Sequence, residues 1–151
     1  MKKEVLVTIR GMQFTKQEEG DLEPIEVIMA GDYYKKNNKH YVIYDEIIEG
    51  FDGTTKNIIK LQQNCVDIIK KGVANVHMTF EKNKKNVTCY DTPYGSLMLG
   101  INAKKIDIQE KEDDISVRVD YALELNYEHL ANCNIKMAIR SRESRDFHIC
   151  S

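Results

Sequence analysis

Histidines, cysteines, paired acids and tyrosines are the groups in this chain that could do chemistry, and their spacing limits each one. His40, His77, His129 and His148 sit in separate segments, none paired with another at metal-ligand spacing. His129 with Cys133, and His148 with Cys150, come nearest, and neither pair makes a ligand set. Cys65, Cys89, Cys133 and Cys150 form no Cys-x-x-Cys and read as free thiols. The three within apolar runs are expected to be small buried or half-buried strand residues. No Gly-x-Ser-x-Gly elbow is present, and no cysteine has a local activating motif. The acidic pairs Glu18-Glu19 and Asp113-Asp114 fall in polar turns, where solvation accounts for them. The expectation is a protein without a metal, a cofactor or an enzymatic activity.

Two patterns of tyrosine remain. Tyr33-Tyr34-Lys35-Lys36-Asn37-Asn38-Lys39-His40-Tyr41 mixes aromatics with cations, as platforms for single-stranded nucleic acid do. Tyrosine is an ordinary strand residue and lysine an ordinary hairpin-tip residue, and a net charge of -2 supplies no attracting field. Nucleic acid is therefore not an expected partner. The second pattern sets tyrosine hydroxyls among apolar side chains. Met78, Phe80, Tyr90, Tyr94, Leu97, Leu99, Tyr121, Leu123 and Met137 form the candidate ligand-binding set, with Tyr90, Tyr94 and Tyr121 as orienting hydroxyls. A mostly apolar cavity with sparse polar groups suits a small hydrophobic or amphipathic ligand. The same bulky side chains could instead fill the interior of a non-enzymatic scaffold that acts through its surface. Both readings stand at this level.

Either reading needs elements that aim these side chains one way, and the chain supplies strands. From Ile115 to Tyr127 apolar and polar residues alternate without interruption, as on a strand with one face on a core and the other in water. Similar runs cover Val5–Phe14, Ile25–Tyr34, Lys39–Ile48, Lys56–Gln62, Cys65–Lys70, Val73–Glu81, Val87–Tyr90, Leu97–Ile108 and Ile135–Ile139. Between them lie turn signals: Lys16–Asp21, Asn37-Asn38, Gly50–Thr54, Lys71-Gly72, Lys82–Asn86, Thr92–Gly95, Glu110–Asp114 and Ala131-Asn132. About ten short-spaced strands predict an all-β, antiparallel, up-and-down barrel, which closes to remove its edges. A helix is the competing reading over Asp52–Ile69, where Ile58, Ile59, Leu61, Val66 and Ile69 roughly fit helical spacing. The hairpin Ile25–Ile48 is apolar on both faces, with Tyr41 and Ile43 on one and Val42 and Tyr44 on the other. That points to a homodimer, and replacing Tyr44 with lysine would be expected to release monomers.

A chain of 151 residues fits a single domain, residues 1–151, with a real hydrophobic core. Met1-Lys2-Lys3 starts basic, but Glu4, Thr8 and Arg10 interrupt any signal-peptide core. No apolar run approaches a membrane helix in length, so no membrane partner is expected and the expected location is cytoplasmic. The tail Ser141–Ser151 is polar and expected to be loosely ordered.

Two blocks resemble a known family. The first runs from Glu23-Pro24-Ile25 through Gly31-Asp32-Tyr33-Tyr34 and Asn37-Asn38 to Asp45-Glu46, and the second is the corner Tyr90-Asp91-Thr92-Pro93-Tyr94-Gly95. Together with the strand order that follows, they resemble the YwiB-like family of small bacterial proteins, a domain of unknown function. The resemblance implies a calycin-like closed barrel, similar in shape to lipocalins and fatty-acid-binding proteins, and it implies no catalytic residues. The chain departs from those better-known barrels. It has no Trp for the lipocalin Gly-x-Trp. Its nearest approach to the fatty-acid binders' Arg-x-Tyr is Arg118-Val119-Asp120-Tyr121, with the wrong spacing and the arginine on the opposite face from Tyr121.

Overall fold

The computed structural model describes residues 2–16, 22–47 and 52–142. Ten antiparallel strands run through them: β1 Lys2–Lys16, β2 Leu22–Lys36, β3 Lys39–Ile47, β4 Thr54–Gln62, β5 Cys65–Lys71, β6 Val76–Glu81, β7 Lys85–Thr92, β8 Gly95–Glu110, β9 Asp114–Leu125 and β10 Glu128–Ser141. They form one sheet in the order β6-β5-β4-β3-β2-β1-β10-β9-β8-β7, so the first and last strands pair in its interior. Its two outer strands come back together. Asn75, just before β6, and Asp91 of β7 exchange backbone hydrogen bonds at 2.9 Å in both directions, and the Asn83 N–H of the β6–β7 turn donates to the Ala103 carbonyl of β8 at 2.8 Å. The Asn86 side-chain amide adds a bond to the Thr79 carbonyl at 3.1 Å. The result is an up-and-down barrel closed everywhere by ladders except at this seam, which isolated bridges hold.

Alternation places the core. Val5, Val7, Val42, Ile59, Leu61 and Val66 all point inward and are at most 2% exposed, while the intervening residues lie on the outer wall. Asparagines make the tight turns, because their short polar side chains tolerate positive φ: Asn37 (52°), Asn38 (63°), Asn64 (58°) and Asn83 (62°) all adopt it. Bulges in β1 between Arg10 and Gln13, in β8 between Ala103 and Lys105, and in β10 between His129 and Ala131 bend those long strands around the barrel. Gly11 sits in the first bulge at φ 97° with its α-carbon against the Asn134 carbonyl, where no side chain fits.

Several expectations are corrected. Residues 54–71 hold no helix. They are β4 and β5, joined at Gln63-Asn64, with Ile59 opposite Ile68 inside and Ile58 opposite Ile69 outside. The apparent helical spacing came from two strands that are apolar on both faces. Ala131-Asn132 is not a turn either. The chain reverses at Asn126 (φ 49°) and Tyr127 (φ 70°), so Tyr127 ends outside the strand, and Ala131 follows a bulge within β10. Tyr44 points into the barrel at 5% exposure rather than onto the outer wall, while Ile28, 64% exposed, lies on the outer face of that hairpin. Cys65 and Cys133 are half-buried as expected, but Cys89 is exposed on the outer side of β7. The turn over residues 17–21, the loop around Gly50, and the tail from residue 143 with His148 and Cys150 lie outside the described residues. Among the described residues no helix is long and apolar enough to cross a membrane.

Candidate ligand-binding cavity

An up-and-down barrel has two ends. The β5–β6, β7–β8 and β9–β10 connections share one, called upper here, and the β2–β3, β4–β5, β6–β7 and β8–β9 connections share the lower. The lower end is pinched. His40 on β3 reaches Glu110 at the end of β8, a strand far from β3 in the sheet, with Nε2 3.5 Å from Oε2. Tyr33 stacks on the His40 ring and bonds its Nδ1 at 2.7 Å. His40 is only 7% exposed, and burial lowers its pKa despite the Glu110 carboxylate. Burial therefore favours the neutral form of this ring, wedged between the two walls.

The upper half is hollow. A cavity of about 570 Å³ opens there, lined mainly by apolar side chains from both walls. Met78, Phe80, Leu99, Tyr121 and Leu123 line it with Ile9 and Met29. Tyr90 and Leu97 line it nearer the mouth, beside Ile47, which is 81% exposed. Phe80 and Tyr121 meet edge to face across the interior at 5.1 Å between centroids. Seven of the nine sequence-predicted residues are thus brought together. The other two are not. Tyr94 sits at the β7–β8 turn, 88% exposed, because the Thr92–Gly95 hairpin carries it past the mouth. Met137 is packed in the core, away from the cavity walls.

Sequence reasoning missed the charged part of the lining, Glu46 and Lys70, with Tyr44 beside it and the buried Asn57 behind it. Tyr44, Asn57 and Lys70 stand directly opposite one another across β3, β4 and β5, and all three face inward. The Lys70 ammonium donates to Asn57 Oδ1 at 2.8 Å and to Glu46 Oε1 at 3.1 Å. Asn57 Nδ2 adds a longer contact of 3.4 Å to Glu46. A signal existed: Glu46, Asn57 and Lys70 are polar residues at the inward parity of their strands, a parity that His40 on β3 and Thr55 on β4 share.

The cavity hydroxyls stay protonated. Burial, and then the Glu46 carboxylate, raise the phenol pKa values of Tyr44 and Tyr90. Burial, and then the Cys133 thiol, do the same for Tyr121. No cluster of three or more metal-ligating side chains exists among the described residues. On the outer wall His77 bonds Asp67 at 3.0 Å, and Thr79 donates to the same oxygen at 2.8 Å. Arg118 also lies outside, beside Asp120 at 3.4 Å, so it cannot serve a ligand in the barrel.

The "Uncharacterized beta-barrel protein YwiB" of Bacillus subtilis (strain 168) is 30% identical to this chain over 137 residues, 89% of this chain and 94% of that one. The crystal structure of ywiB protein from Bacillus subtilis superposes with a TM-score of 0.76 over 93% of this chain and 92% of the other, at 20% identity, which is evidence of a shared fold. Residues 7–137 match the family described as Domain of unknown function (DUF1934), and the chain belongs to that family.

Proposed function

We propose that this barrel binds a small apolar or amphipathic molecule, reversibly and without chemistry, in its upper half. The observation that carries the reading is the cavity of about 570 Å³, a size and a lining suited to one small ligand. Entry would be at the mouth near Ile47 and Leu97, with burial of apolar surface as the driving force. The charged groups on its outer wall, such as Arg118 and Asp120, and the inward-facing core aliphatics support a barrel that sits in water rather than in a bilayer. A membrane barrel has the opposite polarity. Free thiols at Cys65, Cys89 and Cys133 accord with a cytosolic setting.

Leu99→Trp tests the reading. Leu99 borders the cavity, so the larger ring should enter it, leave the melting curve nearly unchanged and abolish uptake of an apolar dye. An unfolded variant would mean that the barrel has no room and would overturn the carrier reading. Native mass spectrometry of the protein as purified from cells, with organic extraction, should show an added mass that leaves on denaturation.

A further inference from the structure

Apart from the tyrosine hydroxyls, the described wall of the cavity is apolar except at one place, where two opposite charges meet. Among the described residues lining it, Glu46 and Lys70 alone carry charge, and they carry one of each sign. Their side chains are 18% and 11% exposed, and they share a bond of 3.1 Å. Asn57, fully buried between them in sequence, accepts from the ammonium and holds the pair in place. Thr55, opposite Glu46 on β4, is buried, and its hydroxyl has no hydrogen-bond partner among the described residues. The group therefore sits at the upper rim of an apolar chamber and offers both donors and an acceptor with no net charge.

We propose that the cavity selects an uncharged polar head group, such as an alcohol or an amide on an apolar tail, over a carboxylate on the same tail. This rests on the reading of the barrel as a ligand carrier. A carboxylate brought to Lys70 is brought close to Glu46 as well, so repulsion offsets much of the attraction. Its desolvation cost remains. An alkylammonium meets the mirror-image difficulty at Lys70. An alcohol both donates and accepts, so it can satisfy either partner without burying new charge. The tail would then run down toward Phe80 and Leu99, away from the mouth.

The test uses the full chain loaded with Nile red, an uncharged dye, and measures displacement by decanol, decanoate and decylamine. Decanol should displace it at a concentration about tenfold below either charged compound. Glu46→Gln keeps the shape and leaves Lys70 charged, so the ratio of decanoate to decanol affinity should rise about tenfold. Lys70→Gln should shift the ratio toward decylamine instead. Decanoate binding as well as decanol in the unaltered protein overturns the head-group assignment and leaves the carrier reading intact. An unchanged ratio in a folded Glu46→Gln protein overturns it as well. Failure of Nile red to bind at all overturns the carrier reading, and the head-group assignment falls with it. The rank order in the unaltered protein decides the matter even where a variant fails to fold.

Discussion

The lower half of the barrel packs aliphatic side chains along its middle and leaves a cleft of about 390 Å³ at its end beside His40, Leu61 and Ile108, while the upper half holds the larger cavity of about 570 Å³. Both are built from the same strands with the same alternation. In the lower half Val5, Val42, Leu61, Val66 and Val119 meet across the interior at 0–2% exposure, and His40 ties β3 to β8 beneath them. In the upper half the inward positions pass to longer or polar side chains, among them Met78, Tyr90, Glu46 and Lys70. Buried charge needs partners and tolerates a wet neighbouring space, whereas branched aliphatics exclude it. The difference teaches that the alternating pattern specifies a barrel wall but not whether the space behind it is full.

The bulge that bends β1 is the most severe way to break this arrangement. Gly11→Ala places a methyl group into the Asn134 carbonyl at a backbone angle that side chains rarely adopt. The expected loss is about 5 kcal/mol, in the range of the whole stability of many domains. Chemical denaturation of the variant would show it; a loss below about 1 kcal/mol would mean that the bulge can be ironed out.

Paired truncations compare the halves directly. Ile59→Ala in the filled region should cost about 4 kcal/mol, while Leu99→Ala on the cavity wall should cost about 2 kcal/mol or less, because one side of Leu99 already lacks packing partners. Equal costs by urea titration would show that the upper half is packed as tightly as the lower.

The smallest effect concerns the pinched end. His40 has a folded pKa lowered from 6.5, by burial first, against the opposing attraction of Glu110 and with some repulsion from Lys35. The unfolded chain therefore binds the proton more readily. Stability should be fully present above pH 6.5 and should fall as the pH drops from there toward the lowered folded value. Thermal melts between about pH 7.5 and pH 5 should show this decline in the parent protein and a weaker decline in His40→Gln. Parallel slopes would mean that other groups govern acid stability.

Much of the wall was legible because strand chemistry is local. The runs at Val5, Ile115 and Ile135 have a period of two, and Asn37-Asn38 and Thr92–Gly95 carry residues suited to their turns. The Asn126-Tyr127 turn was hidden because Tyr127 is an aromatic residue at positive φ, which no turn preference anticipates. Tyr94 was misplaced because a turn tip projects beyond the wall, a matter of length rather than of residue type. Glu46, Asn57 and Lys70 broke the apolar parity of three neighbouring strands at the same end, and that mark is readable only when the strands are aligned.

By itself the sequence determined most of the strands, their faces and most of their turns, and closure is the simplest way for such a meander to remove its edges. The tertiary structure alone decided that the lower end is pinched, that a cavity remains above it, and that residues 11 and 13 positions apart meet as Glu46, Asn57 and Lys70. Alternation is a property of each strand taken singly. The volume inside a barrel, and the charges that share it, depend on register and on what stands opposite.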